Sequence, residues 1–244
     1  MRSSPRVLVW LLLLLALHVP AHSQESTSAA PVVVELFTSQ GCSSCPPADA
    51  LLGELAQRPG VLALSFHVDY WNYIGWEDPF SSAEATERQR AYSRALRRKM
   101  VYTPQMVVAG RKEVSGADRA AVEAAIQSAA GAATIVPRFL RDDAGAMRVA
   151  LPAAAASTAA TVWLAFLDAR HTTPVHRGEN AGATLTNHNV VREWRRIGEW
   201  RGQALELPLD PMPEGRDACA VIVQESGNGA ILGAALMPVE PGGT

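Results

Sequence analysis

Two cysteines separated by two serines, Cys42-Ser43-Ser44-Cys45, are the residues of this 244-residue chain whose type and spacing carry chemistry most plainly. They stand between an apolar, β-branched run at 32–37 (VVVELF) and a stretch that reads as a helix over 45–58. In that stretch Pro46 and Pro47 suit a first turn, Leu51, Leu52 and Leu55 share a face, and Pro59-Gly60 stops it. The pattern puts Cys42 at or next to the helix N-cap, where unpaired backbone N–H groups and the positive dipole end favour a thiolate. Cys45 falls in the first turn, within reach of Cys42. An attacking thiol of lowered pKa beside a resolving thiol is what thiol–disulfide exchange requires. Such an exchange needs Cys42 exposed and Cys45 shielded. A permanent structural disulfide stays open, as does half of a zinc site, although no second cysteine pair exists.

Other residues qualify more weakly. Thr103-Pro104 opens an apolar run about sixty residues after the cysteines, a place that fits a proline packed beside them, and such loops often use a cis bond. An ordinary trans proline at a strand start is the alternative. His67 and Asp69 end the apolar run 61–68 and could trade protons with Cys45; a lone His on such a strand also reads as a satisfied core residue. With His67 or Met106, the two thiolates could instead hold a soft ion such as Cu(I). His171, His176 and His188 show no ligand spacing, Arg94, Arg97, Arg98 and Lys99 read as a solvated helix face, and Cys219 sits in an apolar strand as a buried thiol.

The elements that must position these residues read as β-α-β-α-β-α up to about residue 134, an α/β layer. Helices are expected over 83–99 and 117–130, a third strand over 105–109, and an aromatic loop over 69–82 holding Tyr70, Trp71, Tyr73, Trp76 and Phe80. Beyond 134 the texture changes to short alternating runs at 135–140, 147–151, 161–167, 184–194, 204–207, 218–224 and 231–237, with turn signals such as Asp142-Asp143-Ala144-Gly145 between them. They suggest a β-sandwich over 135–240, after a first domain at 31–134.

Residues 1–23 carry Arg2 and Arg6, an apolar run from Val7 to Leu17 and small residues before Gln24. That is the layout of a cleaved secretory leader, followed by a polar lead-in at 24–30. The expected compartment is periplasmic or extracellular, and oxidising. Composition excludes other classes. With 48% hydrophobic and 19% charged residues the chain is not disordered, and a net charge of −2 gives no broad basic footprint for nucleic acid. No other apolar stretch is long enough to span a membrane.

The segment ELFTSQGCSSCPPAD, followed by YTPQMVV, resembles the thioredoxin superfamily, its Phe-Thr-x-x-Gly-Cys-x-x-Cys portion most of all the glutaredoxins. Together with FHVDYWNYIGW, DPF and GENAGATLTNHNVVREW, it is similar to the secreted thioredoxin-like family catalogued as domain of unknown function 1223. The resemblance implies a thioredoxin fold, Cys42 as nucleophile, Cys45 as resolving thiol and Pro104 as the cis-proline, with no cofactor. Thioredoxin-like oxidoreductases often hold a buried carboxylate near the resolving thiol as proton acceptor, and Glu35, seven residues before Cys42, is the candidate; its alternatives are a solvent-facing edge or an Arg pair. Thr103, Trp71 and Trp76 are expected to bind substrate, although the aromatic loop could equally pack the second helix onto the sheet. The chain departs from thioredoxin in lacking a Trp before Cys42, and in its aromatic loop and Arg-rich helix. The reading is an exported oxidoreductase acting on proteins or small thiols; a copper-binding protein and a non-catalytic binding module are its competitors. Gly178-Glu179-Asn180 belongs to the resemblance without an evident role.

Overall fold

A computed structural model of the chain describes residues 29–238, so the leader at 1–23 lies outside the described residues. The first half runs β1 (Val32–Thr38), α1 (Pro46–Ala56), β2 (Val61–His67), α2 (Ala83–Ala95), β3 (Gln105–Val108), β4 (Lys112–Ser115) and α3 (Arg119–Ala129). β1 is buried along its whole length because it is flanked on both sides, parallel to β2 and antiparallel to β3. A continuous apolar run is what such a central strand needs. Parallel pairing of β1 and β2 demands a crossover, which α1 supplies. The leucines Leu51, Leu52 and Leu55 pack with Val34, Leu36, Ala63 and Met106 and with Val122 and Ile126 of α3, so α1 and α3 share one face of the sheet. Phe37, Leu64, Phe66 and Tyr92 of α2 form the core on the other face.

All seven short runs of the second half are strands: β5 (Arg138–Arg141), β6 (Met147–Leu151), β7 (Ala160–Pro174), β8 (Thr184–Trp200), β9 (Leu205–Pro208), β10 (Ala218–Glu225) and β11 (Ile231–Pro238). They do not form a sandwich of their own. β7, β8, β10 and β11 extend the first sheet, giving eight strands in the order β11-β10-β7-β8-β2-β1-β3-β4. The join is slender, a parallel bridge between Ser65 and Val190. β5, β6 and β9 make a separate three-stranded sheet. It covers one face of the β7–β10–β11 wing, burying Val149, Leu151, Val162, Phe166, Trp200 and Val221. Two sheets thus stack as a sandwich would, but the larger belongs equally to the first half. The molecule is a mixed α/β structure built on one large mixed sheet.

β7 and β8 form a hairpin with arms of 15 and 17 residues. Beyond the sheet its tip, residues 175–183, reaches the start of α1. The hairpin lies close to that helix because Gly53 has no side chain: a Cβ there would stand 2.6 Å from His188 Cδ2. Among the described residues no helix is long and apolar enough to cross a membrane.

Candidate active site around the Cys42–Cys45 disulfide

Cys42 and Cys45 are joined as a disulfide. The N-cap of α1 is Cys45, not Cys42, and Pro46 follows it within the helix's first turn. Cys42 sits in the preceding turn, its carbonyl accepting from the Cys45 N–H at 3.2 Å. The Thr103-Pro104 peptide is cis. It brings Thr103 to the sulfur, where Thr103 Oγ1 donates to Cys42 Sγ at 3.2 Å and accepts from Trp71 Nε1 at 2.8 Å. The indole occupies an acceptor site of the hydroxyl and so directs its proton toward the sulfur. Trp76 Nε1 donates to Gln40 Oε1 at 3.1 Å, which fixes the strand-to-cysteine turn. The aromatic loop therefore does stand around the disulfide, and Tyr70 ties it to α2 through Gln89.

The exposure expected for Cys42 is not found. Cys42 is 1% exposed and Cys45 is wholly buried, while Ser43 and Ser44 between them face solvent. The hairpin tip lies against the backbone on either side of Cys42. Asn180 Nδ2 donates to the carbonyls of Gln40 and Cys42 at 2.9 and 3.0 Å, and Glu179 Oε2 accepts from the Ser43 N–H at 3.2 Å.

Glu35 serves another purpose than a proton acceptor beside Cys45. Its two carboxylate oxygens take a bidentate pair from Arg88 at 2.8 Å each, and Tyr92 donates to it at 2.9 Å. Arg88 is buried among aromatic rings, its guanidinium carbon 4.0 Å from the Trp194 ring centroid. The unit lies in the core on the α2 face. The Arg-pair alternative is the one realised.

A different carboxyl has the environment that Glu35 lacks. Asp49 is one turn into α1, its backbone N–H bonded to Cys45 O at 3.1 Å, and its side chain is buried. Helical side chains lean toward the N-terminus, so the carboxyl lies over the turn that holds Cys45. Burial pushes it up to about 7, with His67 and Thr38 pulling the other way. Asp49 Oδ1, Thr38 Oγ1, His67 Nε2 and Asn187 Nδ2 are all buried without a hydrogen-bond partner. The other His67 nitrogen, Nδ1, meets Asp78 Oδ2 at 2.7 Å. Burial raises Asp78 too, but His67 and the backbone N–H groups of Gln40 and Phe80 outweigh it, and its carboxyl sits below the usual range. Asp49 also borders an open cleft of about 640 Å³ between α1 and β8, lined by Pro46, Arg170 and His188.

The remaining candidates disperse. Asp69 accepts from the Thr86 hydroxyl and pins the aromatic loop to α2. Met106 is buried against α1, and Leu36 lies between it and Ser65 on the sheet. His171 pairs with Asp168, His176 meets Trp76 edge to face, and His188 packs on α1. Arg94 pairs with Glu87 and Arg98 with Glu113, all on the exterior except Glu113. Among the described residues no group of three or more His, Cys, Asp or Glu is arranged to hold a metal ion. Asp49, Asp78 and Asn180 carry no expected role from the sequence, although all three lie in segments of the resemblance, ELFTSQGCSSCPPAD, DPF and GENAGATLTNHNVVREW.

The family model described as Protein of unknown function (DUF1223) matches residues 33–224. The chain belongs to the DUF1223 family. A protein of Agrobacterium tumefaciens with a solved structure is 32% identical; the alignment covers 88% of this chain and 97% of that one, with a TM-score of 0.75. HBP35 of Porphyromonas gingivalis shares the fold at 14% identity and a TM-score of 0.60, over 88% of this chain and 78% of that one. No match was found among curated proteins. The match spans β1 to β10, so the DUF1223 unit takes in the hairpin tip as well as the cysteine pair.

Proposed function

We propose that this DUF1223 protein is an exported thiol–disulfide oxidoreductase. The observation that carries the reading is the Cys42–Cys45 disulfide at the start of α1, with the Thr103 hydroxyl directed at Cys42 Sγ. We read the first half as thioredoxin-like, on the strength of the order β2-β1-β3-β4, the parallel β1–β2 crossover through α1, and α1 with α3 on one face. The leader-like residues 1–23 support a periplasmic or secreted location, and the mature chain should then begin at or near Gln24.

In the oxidising direction a partner thiolate attacks Cys42 Sγ. The Cys42–Cys45 bond breaks, and Cys45 leaves as a thiolate that takes up a proton. The second partner thiolate attacks the partner sulfur of the mixed disulfide, and Cys42 leaves. The partner loses two electrons and two protons and becomes a disulfide, and the protein gains both as two thiols. The reducing direction is the reverse, with Cys42 attacking first. Asp49 supplies or takes the Cys45 proton, since it lies over that turn and its carboxyl changes protonation near neutrality. Thr103 stabilises the negative charge on Cys42 while it is a leaving group or a nucleophile.

Titration against a glutathione redox buffer tests the reading. A working oxidoreductase gives a reversible two-electron transition between Cys42 and Cys45 above about −300 mV. A disulfide that resists reduction throughout that range is structural and overturns it.

A further inference from the structure

We propose that the β7–β8 hairpin tip, residues 175–183, is a strap that closes the disulfide site, held shut by Glu179 and Asn180, and that Cys42 reacts only when it lifts. Both sulfurs are covered although the two residues between them face solvent. The tip reaches the backbone on either side of Cys42 from a place far along the chain, 138 residues away at Asn180. Its hold is polar and small. One side-chain amide bridges the carbonyls of Gln40 and Cys42, and one carboxylate oxygen takes the Ser43 N–H. These are backbone groups on either side of the reacting sulfur, the groups a partner segment crossing Cys42 would meet. Two of the three bonds are carried by Asn180, which is half-buried, and the third by an exposed Glu179.

The rest of the tip is built to move as a unit. Ala181, Gly182 and Ala183 donate their N–H groups within it, to Gly178, Val175 and Asn180. Gly178 and Gly182 take positive φ values of 75° and 85°, conformations open to glycine at little cost. Gly178 also lets the tip approach Trp76, because a Cβ there would stand 3.1 Å from Trp76 Cβ. Most of the tip, including His176, Arg177, Ala181 and Gly182, is exposed, so little apolar surface opposes lifting. The contact geometry is that of a latch: three hydrogen bonds keep the far end of the tip closed at rest, while the buried Val175 anchors its base and leaves 176–183 to lift.

The strap builds on the reading of Cys42 as the reacting sulfur, but its test needs no partner protein. The oxidised full-length mature protein is treated with dithiothreitol at fixed pH, quenched in acid, alkylated and weighed. Each dithiothreitol delivers two electrons and two protons, opens the Cys42–Cys45 bond to two thiols and leaves as its cyclic disulfide. Asn180→Ala and Glu179→Gln should each speed reduction severalfold, and the double variant at least tenfold. A double variant that reduces within twofold of wild type overturns the strap and leaves the oxidoreductase reading standing. Faster reduction with no exchange toward any disulfide peptide sinks that reading and leaves the strap standing. If the variants fail to fold, hydrogen exchange on the wild type decides. Opening without global unfolding requires the amides of Ser43 and of 181–183 to exchange at least a hundredfold faster than those of β1, and equal protection overturns the strap.

Discussion

Thr103 Oγ1 donates a hydrogen bond to Cys42 Sγ across 61 positions of sequence, while the Trp71 indole donates to the same oxygen. The indole takes an acceptor site of the hydroxyl and leaves its proton free for the sulfur. Replacing Thr103 by Val keeps the shape and removes the donor. A hydrogen bond to a charged group contributes about 1.5–3 kcal/mol. Thr103→Val should therefore raise the Cys42 thiol pKa by one to two units and slow attack at pH 7 severalfold, since the more basic thiolate is also the better nucleophile, read by alkylation rate against pH on the reduced protein. Stability should drop as well, by about 1–3 kcal/mol, because the Trp71 indole N–H loses its acceptor, and Thr103→Ser should restore most of both effects.

Asp49 makes stability depend on pH. Its carboxyl is pushed up to about 7 in the folded chain against 3.8 ordinarily, so the folded chain binds the proton more readily than the unfolded one. Stability then falls as pH rises from about 4 to 7; below that window both states hold the proton, and above it the whole penalty is present. Asn in place of Asp49 stays neutral throughout. Asp49→Asn should match wild type near pH 4 and exceed it by on the order of 3–4 kcal/mol at pH 8, measured by denaturant melts. The same variant should lose any inflection near pH 7 in the rate at which Cys45 takes up its proton.

Glu35 and Arg88 are predicted to matter for folding and not for exchange. Glu35→Gln leaves a buried guanidinium without its charge partner, and breaking such a pair costs about 3–5 kcal/mol. The denaturation midpoint should drop accordingly, while the exchange rate of the folded fraction stays within twofold. A large loss of exchange with unchanged stability would return Glu35 to the site.

Cys219 lies in β10, cross-strand from Met237, and burial pushes its thiol up to about 11 from 9.0. The thiolate is the reactive form, so at a given pH its population falls about 100-fold. Native labelling should miss Cys219 and denatured labelling should find it.

The strands of this protein were legible because each run carries its own pattern. β1 reads as central from VVVELF alone, and all seven runs beyond residue 134 are strands. The layering was not, because the halves meet through the bridge between Ser65 and Val190, the Asn189 bond to Ala63 O and a shared apolar core, none of which the local sequence announces. The site shows the same division. Cys42 and Cys45 could be read from spacing, and the cis Thr103-Pro104 bond was implied by the family resemblance, the spacing alone leaving a trans proline open. Asp49's role could not: an acid early in a helix looks like a solvated dipole partner, and the groups that meet it, Thr38 of β1, His67 of β2 and Asn187 of β8, come from far along the chain. Glu35 and Arg88 misled together, one as an acid in an apolar strand and the other within a polar helix, since each explains the other only across 53 positions.

The central claim is that Cys42 and Cys45 exchange disulfides with a partner, Cys42 first. It is tested most directly by mixing the reduced protein with a short disulfide-bonded peptide and following the products by mass. Wild type should reduce the peptide and end as the Cys42–Cys45 disulfide. Cys45→Ser should stop at a mixed disulfide mapped to Cys42, and Cys42→Ser should be inert. A fully reduced, folded wild type that leaves the peptide intact, or a peptide found on Cys45 in place of Cys42, would contradict the account.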